Sequence, residues 1–198
     1  GDDEGRKEMI FWMWFWCVTA LSALLEVMLG TGGLALPCLL VAAFYFAVIR
    51  PWRRVLFPLL IAGLSVDLLF CRSFPCHLVM LPIVVMGAQY WRRYGELRTV
   101  IVQALPGLGV GMVAGLALLL YMVFRQGAAV LFDVRWCVLW VAGQGLGGAV
   151  LLPLLCWVGD RQARLLAVRR YAQVSPYQIQ LEEYGSTELP GGEEPADE

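Results

Sequence analysis

Residues 63–91 read GLSVDLLFCRSFPCHLVMLPIVVMGAQYW, which is two apolar runs joined by a short loop. The first run contains a single carboxylate, Asp67, and the loop region supplies Arg72 and His77. A charged side chain in a membrane helix costs about 2.5 to 3.5 kcal/mol on insertion scales, so such residues usually face the interior of a bundle. The stretch therefore predicts membrane helices that keep Asp67 away from lipid.

The composition is that of an integral membrane protein. Of the 198 residues, 60% are hydrophobic and only 16% are charged, whereas an average soluble domain has about 25% charged residues. The CxxC, HExxH, GxSxG and GxxxxGK[ST] motifs are absent, so we expect no enzyme activity, no metal and no cofactor. Cys71 and Cys76 flank the loop; free thiols are favoured because Cys is common in buried positions, and a disulfide is the alternative on an oxidising face.

Six apolar stretches of about membrane-spanning length follow one another along the chain. They cover residues 9–29, 33–49, 55–71, 75–91, 99–124 and 134–158. We expect an all-α integral membrane protein with six transmembrane helices in one compact bundle. The predicted parts are a tail (1–8), the transmembrane domain (9–158), a basic juxtamembrane segment that extends the sixth helix (159–172) and an acidic disordered tail (173–198).

Positively charged residues divide unequally between alternate loops. Twelve of the fifteen Lys and Arg lie in the N-terminal tail, after the second and fourth helices, and in the C-terminal segment. Because Lys and Arg accumulate on the cytoplasmic side of membrane helices, both termini are predicted to be cytoplasmic. The two basic cytoplasmic loops contain Arg50, Arg53 and Arg54, and Arg92, Arg93 and Arg98.

With this orientation, four polar residues are predicted at similar depth in the outer half of the membrane. Helix rise places Glu26 about one turn from the outer end of the first helix and Asp67 about 6 Å below the end of the third. Arg72 and His77 flank the loop, so an intramembrane polar cluster of all four requires the first, third and fourth helices to be neighbours. Asp67 then fixes the bundle, belongs to a pocket open to the outer face, or relays protons or ions.

Glycines mark close helix packing in the last two helices. Gly107, Gly111 and Gly115 recur every four residues in the fifth helix, and Gly143 and Gly147 form a GxxxG pair in the sixth. Small residues at this spacing let helix backbones approach closely. The faces are predicted to pack against each other, or to form a groove for a partner's membrane helix. The amide of Gln144 beside them is predicted to find a partner inside the bundle.

Two segments resemble the bacterial rod shape-determining protein MreD family. They are GLSVDLL at 63–69 and GQGLGGAVLLPLLCWVGDRQAR at 143–164. The matching positions are Gly63 and Asp67 in the third helix, and Pro153, Asp160, Arg161 and Arg164 at the exit of the last. The resemblance covers about residues 9 to 170. The chain departs from the family pattern in the residues CRSFP after the third helix and in its longer acidic tail.

The resemblance implies a non-enzymatic scaffold or regulatory subunit of the cell-elongation (rod) complex in the bacterial inner membrane. Such a subunit supports lateral peptidoglycan synthesis and cell shape beside MreC, MreB, RodA and a class B penicillin-binding protein, in contact with membrane lipids and not with nucleic acid. The alternative is the substrate-binding S-component of a vitamin transporter, which also has six helices and an outward pocket. The first helix lacks the AxxxA motif expected of an S-component, and a channel or proton-driven carrier ranks third.

Overall fold

The computed structural model describes residues 2–32, 35–71, 74–94, 100–127 and 133–166. Six α-helices account for most of these residues. They are α1 (Asp2–Thr31), α2 (Cys38–Ile49), α3 (Trp52–Leu69), α4 (Cys76–Tyr94), α5 (Val100–Gln126) and α6 (Val134–Leu165). The described part of the chain is therefore all-helical, with one helix for each predicted apolar stretch.

Helix α2 forms the centre of the bundle. All twelve of its residues are buried, and it contacts each of the other five helices. The sequence predicts this helix over 33–49, but it begins at Cys38 because Pro37 takes the N-cap position with a non-helical backbone. At about 18 Å, α2 is shorter than the roughly 30 Å of a bilayer's hydrocarbon core. Because α2 is buried and contacts all five other helices, these helices surround it. Its uniformly apolar sequence fits this central position.

Aromatic rings join α1 to α2. Phe11, Trp14 and Phe15 lie on one face of α1 because residues three and four apart share a helix face. The ring of Phe46 on α2 lies 4.8 Å from that of Phe15 and 5.1 Å from that of Trp14, measured between centroids. Such pairs contribute about 0.5 to 1.5 kcal/mol each beyond the area they bury. These contacts fix how α1 and α2 pack together.

The glycine face of α5 packs against α6. A Cβ added to Gly107 or Gly111 would lie within 3.0 Å of the main chain of Gly148 or Gln144, respectively. A Cβ on Gly115 would also be tight, at 3.1 Å from the α6 main chain. Only glycine allows this close approach, so the three glycines of α5 serve internal packing.

The predicted glycine pair of α6 is not the pair that meets α5. The α6 glycines in this interface are Gly145 and Gly148. Gly143 faces open space, and a Cβ on Gly147 would lie 2.7 Å from Leu36 in the segment before α2. The difference arises because positions 145 and 148 lie three apart on the α5 side of the helix, whereas 147 is rotated by about 100° from 148, towards α2.

The predicted basic loops gather at one end of the bundle, here called the basic end. Arg54 pairs with Glu8 at 3.2 Å, which brings the start of α3 to the start of α1. The Tyr45 hydroxyl donates to Asp160 at 3.0 Å, which brings the end of α2 to the last part of α6. Of the predicted loop residues, Arg50, Arg53 and Arg54 lie at this end, Arg92 and Arg93 belong to the last turn of α4, and Arg98 lies outside the described residues.

Three helical segments are long and apolar enough to cross a membrane. They are Gly5–Thr31, Val102–Gln126 and Val134–Leu165. Large apolar side chains also cover the outside of the bundle; Phe57 on α3 and Met86 on α4 are 70% and 73% exposed. Both α3 and α4 carry a proline inside the helix. The length, composition and apolar exterior are those of a membrane protein.

The first and last helices both reach beyond the predicted transmembrane domain (9–158). Helix α1 begins at Asp2, so residues 2–8 continue the first helix and do not form a separate tail. Helix α6 continues past Val158 to Leu165, as the predicted extension of the sixth helix requires. The acidic segment 173–198 and the end of the basic segment lie outside the described residues.

Candidate functional site

Asp67 binds the first turn of the next helix. Its Oδ2 accepts the main-chain N–H of His77 at 2.8 Å, and its Oδ1 lies 2.7 Å from His77 Nδ1. His77 is the second residue of α4, where main-chain N–H groups lack a partner within the helix. The carboxylate therefore caps α4 from the last turns of α3 and meets the positive end of the helix dipole.

Glu26 caps the first turn of α2 in the same way. Its Oε2 accepts the main-chain N–H of Leu39 at 2.9 Å, and Leu39 is the second residue of that helix. Its Oε1 lies 2.9 Å from His77 Nε2. Asp67, His77 and Glu26 thus form one continuous chain of hydrogen bonds, here called the polar cluster, which joins four helices.

The polar cluster is almost completely removed from solvent. Asp67 is 2% exposed, His77 is 1% exposed and Glu26 is 8% exposed. Both nitrogens of an imidazole donate only when the ring carries its second proton. A protonated His77 gives each carboxylate a charge-assisted hydrogen bond, which offsets the cost of burying the charges.

Gly63 allows α3 and α4 to bring the cluster together. It lies one helical turn before Asp67 and on the same face. A Cβ at Gly63 would lie 2.9 Å from the Cβ of His77 and 2.5 Å from a methyl group of Leu81. The G-x-x-x-D spacing therefore has a physical role, since the glycine gives α4 the room to approach and the carboxylate then caps it.

Three of the four residues predicted for this cluster are in direct contact. Glu26, Asp67 and His77 contact one another through the bonds above, and α3 does lie against α1 and α4. Arg72 lies outside the described residues. Cys71 and Cys76 are free thiols, the first exposed and the second buried.

A cavity adjoins the polar cluster; an outward pocket is one of the three alternatives that the sequence leaves for Asp67, but Asp67 itself does not line this cavity. The cavity has a volume of about 180 Å³ and is lined by Glu26 and His77 together with residues of α5 and α6. The predicted partner of Gln144 is found here, because its side-chain amide donates to the carbonyl of Ala35 in the segment before α2. No sequence signal identifies Ala35 as that partner; Pro37 indicates only where α2 begins.

The polar cluster connects four helices through hydrogen bonds. Both ring nitrogens of His77 hydrogen-bond to carboxylates, Nδ1 to Asp67 and Nε2 to Glu26. Within the described residues, no group of three or more His, Cys, Asp or Glu side chains is arranged to hold a metal ion.

Comparisons with known proteins found no relative of this chain. No protein family, no curated protein and no solved structure matches it. The resemblance to MreD therefore rests on the residues themselves.

Proposed function

We propose that this chain is a non-enzymatic scaffold or regulatory subunit of the bacterial cell-elongation (rod) complex, of the MreD type. In this role it supports lateral peptidoglycan synthesis and cell shape by holding partner membrane proteins. The basis for the proposal is the GLSVDLL segment, whose Gly63 and Asp67 carry the resemblance to that family.

The observation that carries the proposal is the hydrogen-bonded chain from Asp67 through His77 to Glu26. It caps α2 and α4 and joins them to α1 and α3. A carrier that moves these four helices relative to one another would have to break such bonds in each cycle, at about 1.5 to 3 kcal/mol for each bond to a charged group. A scaffold instead benefits from four helices held in one arrangement. We therefore assign Asp67 a structural role.

The proposed location is the bacterial inner membrane, crossed six times, with both termini in the cytoplasm. The unequal distribution of Lys and Arg supports this orientation. The contacts between Glu8 and Arg54 and between Tyr45 and Asp160 gather basic segments at one end. The short α2 crosses inside a ring of other helices, where neighbours shield it from lipid.

The packing limits where partners bind. Gly107 and Gly111 are occupied by α6, so a membrane helix of MreC, RodA or the penicillin-binding protein has to use another apolar face. The exposed Arg53 and Arg54 at the basic end suit MreB or anionic lipid, to which each basic side chain contributes about 1 kcal/mol.

Affinity purification of the tagged full chain from its native membrane tests the proposal. We expect MreC, RodA and a class B penicillin-binding protein to co-purify. Arg53→Glu should weaken recovery of MreB and keep the membrane partners, whereas Arg125→Glu at the opposite end is the matched control and should keep all of them. Recovery of a transporter ATPase in place of wall-synthesis proteins would contradict the proposal.

The cavity favours one second candidate, the S-component of a vitamin transporter. Such a protein needs a pocket in the outer half, and the cavity beside Glu26 and His77 lies at the end opposite the basic end. The purification above separates the two candidates, because an S-component requires an energising ATPase and a scaffold does not.

A further inference from the structure

A groove at the basic end follows one face of α6. Its volume is about 750 Å³. The α6 residues that line it include Val150, Leu154, Trp157, Arg161 and Arg164, which alternate four and three positions apart and therefore form one stripe along the helix. All five side chains are exposed. The stripe changes from apolar to basic along its length.

This change occurs over a distance that matches the edge of a bilayer. From the rise of 1.5 Å per residue, Val150 lies about 10 Å before Trp157, and Arg161 lies about 6 Å beyond it. Trp is enriched at the interface between membrane and water, and the polar headgroups add about 5 to 7 Å on each side of the hydrocarbon core. A bilayer with Trp157 at its interface therefore places the apolar part of the stripe beside acyl chains and Arg161 beside headgroups.

The polar part of the groove contains both signs of charge. Arg161 and Arg164 supply two guanidinium groups, and Asp160 supplies a carboxylate. Oδ1 of Asp160 accepts the Tyr45 hydroxyl, and because a carboxylate has about four acceptor sites, it can accept a further donor without losing that bond. Guanidinium groups bind phosphate through charge-assisted hydrogen bonds, and an ammonium group binds a carboxylate in the same way. A ligand with a phosphate and an ammonium group matches all three side chains.

Trp157 helps to position one of these guanidinium groups. The central carbon of the Arg161 guanidinium lies 6.0 Å from the centroid of the Trp157 ring, a distance at which a cation is attracted to the ring face. A side chain held in this way loses less freedom when it binds a ligand. The groove thus presents a positioned cation directly above an apolar wall, as an amphipathic ligand requires.

We propose that this groove binds one molecule of phosphatidylethanolamine. Its phosphate lies between Arg161 and Arg164, its ammonium group donates to Asp160, and one acyl chain lies along the apolar part of the stripe. Phosphatidylglycerol has the phosphate but no ammonium group for Asp160, and the quaternary ammonium of phosphatidylcholine has no N–H to donate. The inference rests on the membrane location of the chain and not on the protein partners proposed above.

Native mass spectrometry of the full chain, freed of bound lipid in detergent, tests the choice of headgroup. The three phospholipids are added with identical acyl chains. We expect the wild type to bind one phosphatidylethanolamine at least about tenfold more tightly than phosphatidylglycerol or phosphatidylcholine, the effect of one hydrogen bond between charged groups. This comparison uses only the wild type, so it does not depend on whether a variant folds.

Two variants test the assigned contacts. Arg161→Gln should weaken phosphatidylethanolamine binding about tenfold. The matched control is Arg53→Gln, because Arg53 also lies at the basic end over a Trp ring, 5.7 Å from the centroid of Trp52, but does not line the groove. Asp160→Asn should remove the preference for phosphatidylethanolamine over phosphatidylglycerol, while its amide oxygen can still accept the Tyr45 hydroxyl.

Two results would overturn the proposal. One is binding of phosphatidylglycerol or phosphatidylcholine to the wild type as tightly as phosphatidylethanolamine, which would show that the groove does not recognise the ammonium group. The other is an equal effect of Arg161→Gln and Arg53→Gln on phosphatidylethanolamine binding, which would place the lipid elsewhere on the protein. Both measurements use the purified chain without partners, so this inference and the proposed function can fail separately.

Discussion

Asp67 accepts two hydrogen bonds from His77, one from its main-chain N–H at 2.8 Å and one from its ring Nδ1 at 2.7 Å. One carboxylate therefore fixes both the start of α4 and the orientation of the imidazole. The ring then presents its other nitrogen to Glu26 at 2.9 Å. Since the two acids lie on α1 and α3, the position of His77 determines how these helices meet.

Asp67→Asn should lower the thermal stability of the protein in detergent without preventing its insertion into the membrane. The amide retains one oxygen for the main-chain N–H of His77 but loses the charge and the second acceptor. Removing a hydrogen bond to a charged buried group costs about 1.5 to 3 kcal/mol. The melting temperature of the purified variant measures the loss.

Ser65→Ala is the matched control for that variant. Ser65 lies two residues before Asp67, is exposed, and bonds only to the carbonyl of its own helix at Ile61. Its replacement should leave the melting temperature almost unchanged. A normal melting temperature for Asp67→Asn together with lost cell shape would contradict the structural role and indicate a partner contact.

Asp67→Asn and Glu26→Gln should not act independently. Both acids bind the same imidazole from opposite sides. Replacing either carboxylate by an amide therefore makes the protonated form of the His77 ring less favourable. Groups in one network show coupling energies of about 0.5 to 3 kcal/mol in double-mutant cycles. The free energies of unfolding of the wild type, the two single variants and the double variant give this coupling energy. Additive losses within about 0.5 kcal/mol would show that His77 does not couple the two acids.

The polar cluster could be predicted because few positions suit a charge in a membrane helix. Counting 1.5 Å per residue from the helix ends places Glu26 and Asp67 at similar depth. The high cost of a charge in lipid then points both inward. His77 lies just beyond the loop, so a contact among the three follows if their helices are neighbours. The sequence alone therefore indicates both the depth of these side chains in the membrane and their polar character.

Helix rotation and the contacts of irregular segments were harder to predict. The GxxxG pattern at Gly143 and Gly147 is as good a packing signal as Gly145 and Gly148, yet only the second pair meets α5. Which side of α6 faces α5 depends on the position of α2, and no local pattern encodes that position. The residues that line the cavity could not be predicted for a similar reason, since Trp140 lines it only after α6 has packed.

Tyr45→Phe should destabilise the basic end. The Tyr45 ring is fully buried, and its hydroxyl donates to Asp160 on α6 at 3.0 Å. Losing this bond to a carboxylate should cost about 1.5 to 3 kcal/mol, read as a lower melting temperature. Tyr90→Phe is the control, because Tyr90 is 66% exposed and should tolerate the change. Equal melting temperatures for both variants would show that the bond contributes nothing.

The two ends of the bundle should be accessible from opposite sides of the membrane. Cys71 is exposed and lies just after α3, at the end opposite Arg53. In spheroplasts of an Arg53→Cys variant, a membrane-impermeant maleimide should modify Cys71 and spare position 53 until the cells are lysed. Mass spectrometry of the digested protein identifies each modified thiol. Labelling of position 53 before lysis would reverse the proposed orientation.

Gly111→Ala should separate α5 from α6, whereas Gly109→Ala on the same helix should not. A Cβ at Gly111 would lie within 3.0 Å of main-chain atoms of Gln144 and Gly145, and main chain cannot move aside as a flexible side chain can. Overpacking of this kind costs about 1 to 3 kcal/mol. At Gly109 nothing lies within 4 Å, so alanine there should be neutral or slightly stabilising, given its higher helix propensity. Both melting temperatures are measured in the same detergent, and a tolerated alanine at position 111 would mean that α5 and α6 pack through a different face.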